Sequence, residues 1–351
     1  MITCGVASPG HPATRPFSCV VDASLAKREI TENALPNQTT RADVTVVIQT
    51  VGRSTLLRAI QSVADQTLLK GATPRRVDIW IGIDQDRYGQ MAQLREEVTR
   101  KTDLVENLSV HWLDIGYSTS LRGAGVHTNM FGGSMRTVLS FLARSERIAY
   151  LDDDDWWHPR HLELMLKAIQ DKTWAYSACW YADSEAGKAI TLDRYESAGP
   201  DRGWYWKSFG GFIRPSAMMI DKIRGIDLLA LWSSATTATG GGEDRLVFSA
   251  LRQRADHGYT GQATVYYSLD ETDGMHKLRM KYIRMQAGLE QFELTPRTDS
   301  LRNQIRQDAV RSKLTDTTAK VRIDGGGKGR ERAPEAGIDV SAQASEHVRD
   351  T

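Results

Sequence analysis

Four consecutive aspartates, Asp152 to Asp155, directly follow an apolar run at residues 148–151. The run predicts a short buried strand, and Pro159 predicts the start of an amphipathic helix at 161–170. The acids therefore fall at the carboxyl end of a strand, where open α/β sheets bind ligands. Because clustered carboxylates repel one another, a divalent cation bound by their oxygen atoms would neutralise the repulsion. We interpret the cluster as a metal site; the alternative is a solvated acidic loop that starts a helix.

Strand and helix patterns alternate along the middle of the chain. Apolar and β-branched runs predict strands at 44–49, 77–83, 109–113 and 148–151. Apolar residues at helical spacing predict helices at 56–63, 91–101, 137–142, 161–170, 243–254 and 275–293. This alternation predicts an α/β fold with a mostly parallel central sheet flanked by helices. Residues 174–232 are richer in aromatics and less regular.

The bulk composition excludes several classes of protein. The 351 residues carry a net charge of +1, which argues against a nucleic-acid partner, since such proteins need a concentrated basic face. The three cysteines (Cys4, Cys19 and Cys179) lie far apart, so neither a zinc site nor a disulfide framework is expected. No run approaches the ~20 apolar residues of a transmembrane segment, and no secretion signal is recognisable. We expect a soluble, cytoplasmic protein.

The ends of the chain differ from its middle. Residues 1–41 lack periodicity and are interpreted as an irregular lead-in, whereas 42–295 are expected to form the main domain. A C-terminal helix is predicted at 296–315, and the Gly-rich, charged tail at 316–351 is predicted to be disordered. We interpret the Arg-rich stretch at 300–313 as a solvated helix face, with peripheral membrane contact as the alternative.

Polar residues follow each of the predicted parallel strands. Thr50 and Arg53 follow the first strand, Asp84 follows the second, and the four aspartates follow a later one. If the strands are parallel, these residues meet at one edge of the sheet. An Arg offers a bidentate fork to phosphate, and an Asp accepts hydrogen bonds from a base or a ribose. Each residue alone would be an ordinary turn residue, but together they predict a nucleotide-diphosphate site.

Several segments in the range 44–282 resemble a known family. The segments are VVIQTVGR (46–53), the helical stretch 57–67, GSMR (133–136), YLDDDDWWHP (150–159) and GED (242–244). They resemble family 2 glycosyltransferases of the GT-A fold. In order, they match the opening of that fold, the helix after it, the small-residue stretch ending in Arg, the Asp-x-Asp segment and the Glu-Asp element.

The resemblance implies a fold and an activity. The fold would be a GT-A domain, with its nucleotide-binding part at 42–155, its acceptor and catalytic part at 156–295, and C-terminal helices. The activity would be the metal-dependent, inverting transfer of a sugar from a nucleotide-diphospho-sugar donor to a carbohydrate or other hydroxyl acceptor. Mn²⁺ or Mg²⁺ would be the cofactor. Because the Gln-x-x-Arg-Trp motif of processive members is absent, we expect a single addition.

The resemblance also implies which residues contact the nucleotide sugar. Carried over to this sequence, they are Thr50, Arg53, Asp84, Arg136, Asp152 and Asp153. Val51 and Gly52 stand where the family has an aromatic residue and an Asn, so stacking on the base from that position is lost or moved. Gln85 and Asp86 replace the usual residues after the second strand, which leaves the preferred base open.

By the same resemblance, Asp154 and Asp152 would be metal ligands. His276 would be a third ligand, with a surface histidine at a helix start as the alternative. The run of four acids also allows a second register, in which Asp153 and Asp155 form the Asp-x-Asp pair.

The resemblance assigns the general base to Asp244, with Glu243 as the fallback. The alternative is that both acids are favoured only because they begin a helix. The glycines at 240–242 precede them and allow close backbone approach. A platform for an acceptor sugar is predicted among the aromatic residues Trp180, Tyr181, Trp204, Tyr205 and Trp206.

Two other functions are compatible with the sequence. A sugar nucleotidyltransferase could use a similar sheet, but it would need a basic, glycine-rich phosphate loop near the first strand. A catalytically degenerate protein could bind a nucleotide sugar or a glycan without turning it over.

Overall fold

The computed structural model of the protein describes residues 41–120, 125–127, 129–237, 240–254 and 256–296. The predicted lead-in, apart from Arg41, and the predicted C-terminal helix and tail, apart from Pro296, lie outside these residues.

The described chain alternates between strands and helices. The strands are β1 (Val44–Thr50), β2 (Val77–Ile83), β3 (Leu108–Asp114), β4 (Arg147–Asp152), β5 (Trp156–Trp157), β6 (Trp174–Asp183), β7 (Lys188–Leu192), β8 (Gly199–Pro200), β9 (Gly211–Phe212), β10 (Met218–Asp221) and β11 (His257–Ser268). The α-helices are α1 (Leu56–Ala64), α2 (Met91–Thr102), α3 (Gly133–Leu142), α4 (His161–Ala168), α5 (Trp206–Phe209), α6 (Glu243–Gln253) and α7 (His276–Gln286). Short 3₁₀ helices span Thr67–Leu69, Pro215–Ala217 and Ile226–Ser233.

The central sheet has a parallel half and a mixed half. In the described part of the chain its order is β3-β2-β1-β4-β10-β6-β11-β5, with β7 paired to β6. Strands β3, β2, β1 and β4 are parallel, whereas β10 runs antiparallel to both of its neighbours. Beyond β10, β6 and β11 are parallel to each other, and β5 and β7 are antiparallel to their partners. The predicted α/β fold is confirmed, and the parallel arrangement dominates only in its first half.

The parallel half forms because its strands are rich in apolar residues, with β1 and β2 largely buried and the edge strand β3 half-buried. Strand β1 has the sequence VTVVIQT, and all of its residues except Gln49 are buried. Helix α1 buries Leu56, Ala59, Ile60 and Val63 in the same core. Strands buried on both faces read as continuous apolar runs, so this half was predictable. The predicted strand at 77–83 coincides with β2, and the predicted α1, α2 and α6 agree to within a residue at each end.

The mixed half is built from strands that the sequence did not indicate. Strand β6 runs for ten residues through the aromatic-rich region and pairs with both β10 and β11. Helix α7 packs Met280 and Ile283 against Tyr181 of β6 in a second apolar cluster. It ends at Gln286, earlier than the predicted 293, and Gly288 follows with a left-handed φ of 65°. Glycine in this conformation commonly terminates a helix.

None of the described helices combines the length and the apolar composition that crossing a membrane would require.

Candidate active site

A cleft of about 870 Å³ lies at the carboxyl ends of β1, β2 and β4. We call one group of its lining residues the sheet wall: Thr50, Arg53, Asp84, Arg136, Asp152, Asp153 and Asp154. We call a second group the C-terminal wall: Glu196, Tyr205, Arg214, Glu243, Asp244, Arg245 and Arg279. The two walls together bring nearly all the predicted site residues into one cavity.

The four aspartates alternate between the cleft and the interior. The side chain of Asp152 is 30% exposed and that of Asp154 is 38% exposed. Asp153 and Asp155 are both buried. The chain therefore exposes the side chains of Asp152 and Asp154 to the cleft. Asp153 also lines the cleft, but its carboxylate is buried, and Asp155 lies within the protein.

Asp153 ties the acidic loop to the end of β1. Its Oδ2 accepts a hydrogen bond from Thr50 Oγ1 at 2.6 Å, and its Oδ1 accepts one from Arg53 Nη1 at 2.8 Å. The Thr50 hydroxyl in turn accepts from the backbone N–H of Gly52 at 3.0 Å. Asp153, which the sequence predicts to contact the nucleotide, therefore positions Thr50 and Arg53, two other predicted contacts.

Asp155 anchors the loop from the opposite side. Its Oδ2 accepts from Ser216 Oγ at 2.6 Å, and its Oδ1 accepts from the backbone N–H of Ser268 at 3.0 Å. Burial raises the pKa of Asp155 well above its usual value, and Asp154 raises it further. The second register, with Asp153 and Asp155 as the pair, would need these internal contacts to break.

The backbone at Asp154 is also fixed. Its carbonyl oxygen accepts from Ser268 Oγ at 2.6 Å and from Arg58 Nη2 at 3.2 Å. The Arg58 guanidinium lies 3.9 Å from the ring centroid of Trp156. Sequence reasoning missed Arg58, Ser216 and Ser268, because nothing local to them signals a contact with residues 152–155. Their bonds hold the acidic loop in place before any ligand binds.

Asp152 and Asp154 are only partly exposed, so their negative charges are unfavourable. Burial raises the pKa of Asp152, which Arg136 opposes through a 2.7 Å ion pair. Burial also raises the pKa of Asp154, although Arg53 lowers it from 3.7 Å; Asp153 and Asp270 add repulsion. A hard divalent cation fits this pair, because it binds carboxylate oxygens and neutralises such repulsion.

The metal ligands predicted from the sequence are only partly brought together. No group of three or more His, Cys, Asp or Glu side chains is gathered as a metal cluster in the part of the chain that the structure describes. His276 begins α7 but is not among the residues that line the cleft. Its role as a third ligand stays a prediction, and a cation held by Asp152 and Asp154 would need ligand oxygens from elsewhere.

The part of the sheet wall around Asp84 is built from backbone turns. Asp84 accepts from the backbone N–H of Thr119 at 2.6 Å and from Ser118 Oγ at 3.1 Å. Gly52 has a φ of 86°, and a Cβ there would lie 2.7 Å from Asp86 Oδ1. The turn therefore requires glycine at the position where family 2 glycosyltransferases, which the sequence resembles, have an Asn.

The first turn of α6 places two acids in the cleft. Gly242 precedes them with a φ of 89°, where a Cβ would lie 2.0 Å from Thr236 Oγ1. Glu243 is buried, and its Oε2 has no hydrogen-bond partner. Burial raises the pKa of Glu243 to about 7, and Asp244 contributes further. Asp244 is partly exposed; burial raises its pKa, and Arg245 opposes the shift.

The C-terminal wall contains a buried ionic cluster that sequence reasoning missed. Glu196 accepts from Arg214 Nη2 at 2.5 Å, from Arg279 Nε at 2.6 Å and from Tyr181 Oη at 3.0 Å. Arg279 also pairs with Asp273 at 2.7 Å. Although burial acts to raise the pKa of Glu196, the two arginines lower it to about 2. These residues come from distant stretches of the chain, so no local sequence pattern indicates that they form a cluster.

The predicted aromatic platform is mostly structural. Tyr205 lines the cleft, whereas Tyr181 is buried and Trp180 donates from Nε1 to the carbonyl of Ala263 at 3.1 Å. Trp206 is exposed and does not line the cleft. One ring of the predicted set therefore faces the cavity.

No family model matches the sequence, and no curated protein matches it. The crystal structure of S. aureus TarS 1–349 in complex with UDP-GlcNAc is similar at 14% identity and a TM-score of 0.44. That likeness covers 66% of this chain and 60% of the TarS chain. The mannosyltransferase PcManGT from Pyrobaculum calidifontis, in complex with GDP-Man and Mn²⁺, is similar at 12% identity and a TM-score of 0.45, over 84% of this chain and 79% of that one.

This chain spans about six tenths of the length of TarS 1–349. At such identities the likeness concerns the course of the backbone and not the chemistry of the side chains.

Proposed function

We propose that the protein is a metal-dependent, inverting and non-processive glycosyltransferase that uses a nucleotide-diphospho-sugar donor. The observation that carries the proposal is the division of labour within residues 152–155. Asp153 and Asp155 form hydrogen bonds within the protein that fix the loop. The side chains of Asp152 and Asp154 are exposed to a cleft that also contains Glu243 and Asp244. A merely solvated acidic loop would not need this bracing.

The sheet wall would bind the donor. Asp152 and Asp154 would hold Mn²⁺ or Mg²⁺, which when bound neutralises the charge of a leaving diphosphate. Arg53 and Arg136 lie against these acids and add positive charge for the phosphate oxygens. Asp84 is placed to accept a hydrogen bond at the nucleoside end.

The C-terminal wall would bind the acceptor and move its proton. Asp244 takes the proton of the acceptor hydroxyl, and that oxygen forms a bond to the anomeric carbon. The bond from the anomeric carbon to the diphosphate breaks, and its electron pair leaves on the phosphate oxygen. One displacement of this kind inverts the anomeric configuration. Glu243 beside it remains the second candidate for the base.

We place the reaction in the cytoplasm, where a buried free thiol such as that of Cys179 stays reduced. The acceptor is a hydroxyl compound, and the transfer adds one sugar.

The test is release of nucleoside diphosphate from a panel of nucleotide sugars, each mixed with Mn²⁺ and a panel of mono- and oligosaccharides. We expect release with one donor, inversion of its anomeric configuration by NMR, and loss of release with EDTA or in Asp154→Asn. Asp103→Asn, an exposed acid at the end of α2, is the matched control and should behave as wild type. Donor binding without release in any mixture would support the degenerate binding protein, and no binding of any nucleotide would contradict both functions.

A further inference from the structure

Arg245 follows Asp244 in the first turn of α6 and lines the cleft. Its guanidinium carbon lies 5.0 Å from the ring centroid of Tyr205 and 5.3 Å from that of Phe209. Stacking of this kind uses the flat face of the guanidinium and leaves its N–H edge for an anion. A cationic edge therefore stands beside the candidate base.

Arg245 differs from other arginines of the cleft in its charge pairing. Arg53, Arg136, Arg214 and Arg279 each form an ion pair with a carboxylate. None of the ion pairs found within the described residues involves the Arg245 side chain. A cation in the first turn of a helix also faces the positive end of the helix dipole, an unfavourable position that the adjacent carboxylate of Asp244 offsets.

Arg214 provides a second, independent indication. It is only 7% exposed and lines the same cleft, and its Nε is buried without a hydrogen-bond partner. Its guanidinium carbon lies 3.5 Å from the ring centroid of Tyr267, and its Nη2 is taken by Glu196. An unpaired buried donor on a charged group is costly, so the guanidinium of Arg214 is incompletely compensated within the protein.

Arg245 and Arg214 both influence the electrostatics of Tyr205 and Asp244 in the C-terminal wall. Burial raises the pKa of Tyr205 and Glu196 raises it further, whereas Arg245 and Arg214 both lower it. Arg245 and Arg214 likewise oppose the rise that burial causes in the pKa of Asp244. Tyr205 and Asp244 therefore lie within electrostatic reach of both guanidinium groups.

We propose that the acceptor is anionic, and that Arg245 and Arg214 bind a phosphate or carboxylate group of it next to Asp244. This inference rests on the proposed transfer reaction and adds the chemical class of its acceptor. The anion would offer oxygen atoms to the free edge of Arg245, and the positive charge of Arg214 would attract it, with Tyr205 as a flat surface for the sugar ring. A neutral sugar could accept hydrogen bonds from Arg245 through its hydroxyl oxygens, but it would bring no charge to balance the guanidinium.

The test compares three sugars that differ in charge: glucose, glucuronate and glucose 6-phosphate. Each is titrated by ligand-observed NMR into the full chain, with and without UDP or GDP and Mn²⁺ to fill the sheet wall. We expect at least one anionic sugar to bind about tenfold or more tightly than glucose, since hydrogen bonds to charged groups are worth roughly that factor. Which of the two binds more tightly distinguishes a carboxylate from a phosphate acceptor.

Variants locate the bound anion. Arg245→Gln should remove the preference for the anionic sugar, and Arg245→Lys should restore part of it. Arg252→Gln, an exposed arginine on the same helix paired with Asp201, is the matched control and should keep the full preference. Equal binding of all three sugars to wild type would overturn the inference, as would a preference that survives Arg245→Gln but is lost in Arg53→Gln. If no member of a panel of nucleoside diphosphates binds either, the proposed transfer reaction fails as well; if one binds, only the anionic acceptor is excluded.

Discussion

The two walls of the cleft are assembled in different ways. The sheet wall comes mostly from the ends of the parallel strands β1, β2 and β4, with Arg136 added from α3, and three of its four acids are consecutive. The C-terminal wall brings together Glu196, Arg214, Asp244 and Arg279, which belong to four separate stretches of the chain. Local sequence patterns place the residues of the sheet wall at one edge of the sheet, although bonds to the distant Ser216 and Ser268 fix its acidic loop. The C-terminal wall has no such local pattern and depends on buried ion pairs between distant residues. The difference predicts that chemistry can be removed from one wall without disturbing the other.

The largest effect is expected from Asp244→Asn. If Asp244 is the general base, kcat for sugar transfer should fall about 10²- to 10⁴-fold. The affinity for nucleoside diphosphate should stay unchanged, because the sheet wall is untouched. Steady-state kinetics and a nucleotide titration on the same preparation measure both quantities. Full activity in Asp244→Asn, with the loss appearing in Glu243→Gln instead, would move the base to Glu243.

The ionic cluster around Glu196 should contribute strongly to the unfolding free energy of the protein. Glu196→Gln leaves Arg214 and Arg279 buried beside each other without their shared carboxylate. Breaking a buried pair in this way costs about 3–5 kcal/mol of unfolding free energy. Glu163→Gln, which breaks an exposed pair with Arg160, is the control and should cost less than about 1 kcal/mol. Equal urea midpoints for the two variants would show that the cluster is not a determinant of the fold.

Glu243 should make stability depend on pH. Its pKa is about 7 in the folded protein against 4.5 when unperturbed, so below pH 4.5 both states are protonated. As the pH rises from 4.5 to 7, the unfolded state releases the proton first and the folded state loses stability, by about 3 kcal/mol in total. Glu243→Gln lacks this loss. Urea unfolding of both proteins at pH 4.5, 6 and 8 checks it, and parallel pH profiles would contradict the raised pKa.

The smallest effect is expected at the sheet wall. Thr50→Val removes the hydroxyl that donates to Asp153 and accepts from Gly52. Loss of these bonds should cost about 1–2 kcal/mol of unfolding free energy. Thr99→Val on the exposed face of α2 is the control, with little change expected in thermal denaturation. A Thr50 variant as stable as its control would mean that the acidic loop is held without β1.

How much the sequence could predict follows the same division between the walls. The strand ends and the acidic run were recognisable because each is a local pattern, and the structure brings Thr50, Arg53 and Asp84 to one sheet edge as expected. The burial of Asp155 was not predictable, because its partners Ser216 and Ser268 are far away in sequence. Strand β6 was missed because aromatic residues obscured its alternation, and the Glu196 cluster was missed along with it.

The central claim is that Asp154 and its neighbour Asp152 form a metal-dependent diphosphate site. Isothermal titration of UDP and GDP into wild type, Asp154→Asn and Asp103→Asn, each with Mn²⁺ or with EDTA, tests this claim most directly. We expect at least one nucleotide to bind only with Mn²⁺, to lose affinity about tenfold or more in Asp154→Asn, and to bind normally in Asp103→Asn. Equal affinity with Mn²⁺ and with EDTA, or an Asp154→Asn variant that binds as wild type does, would contradict it.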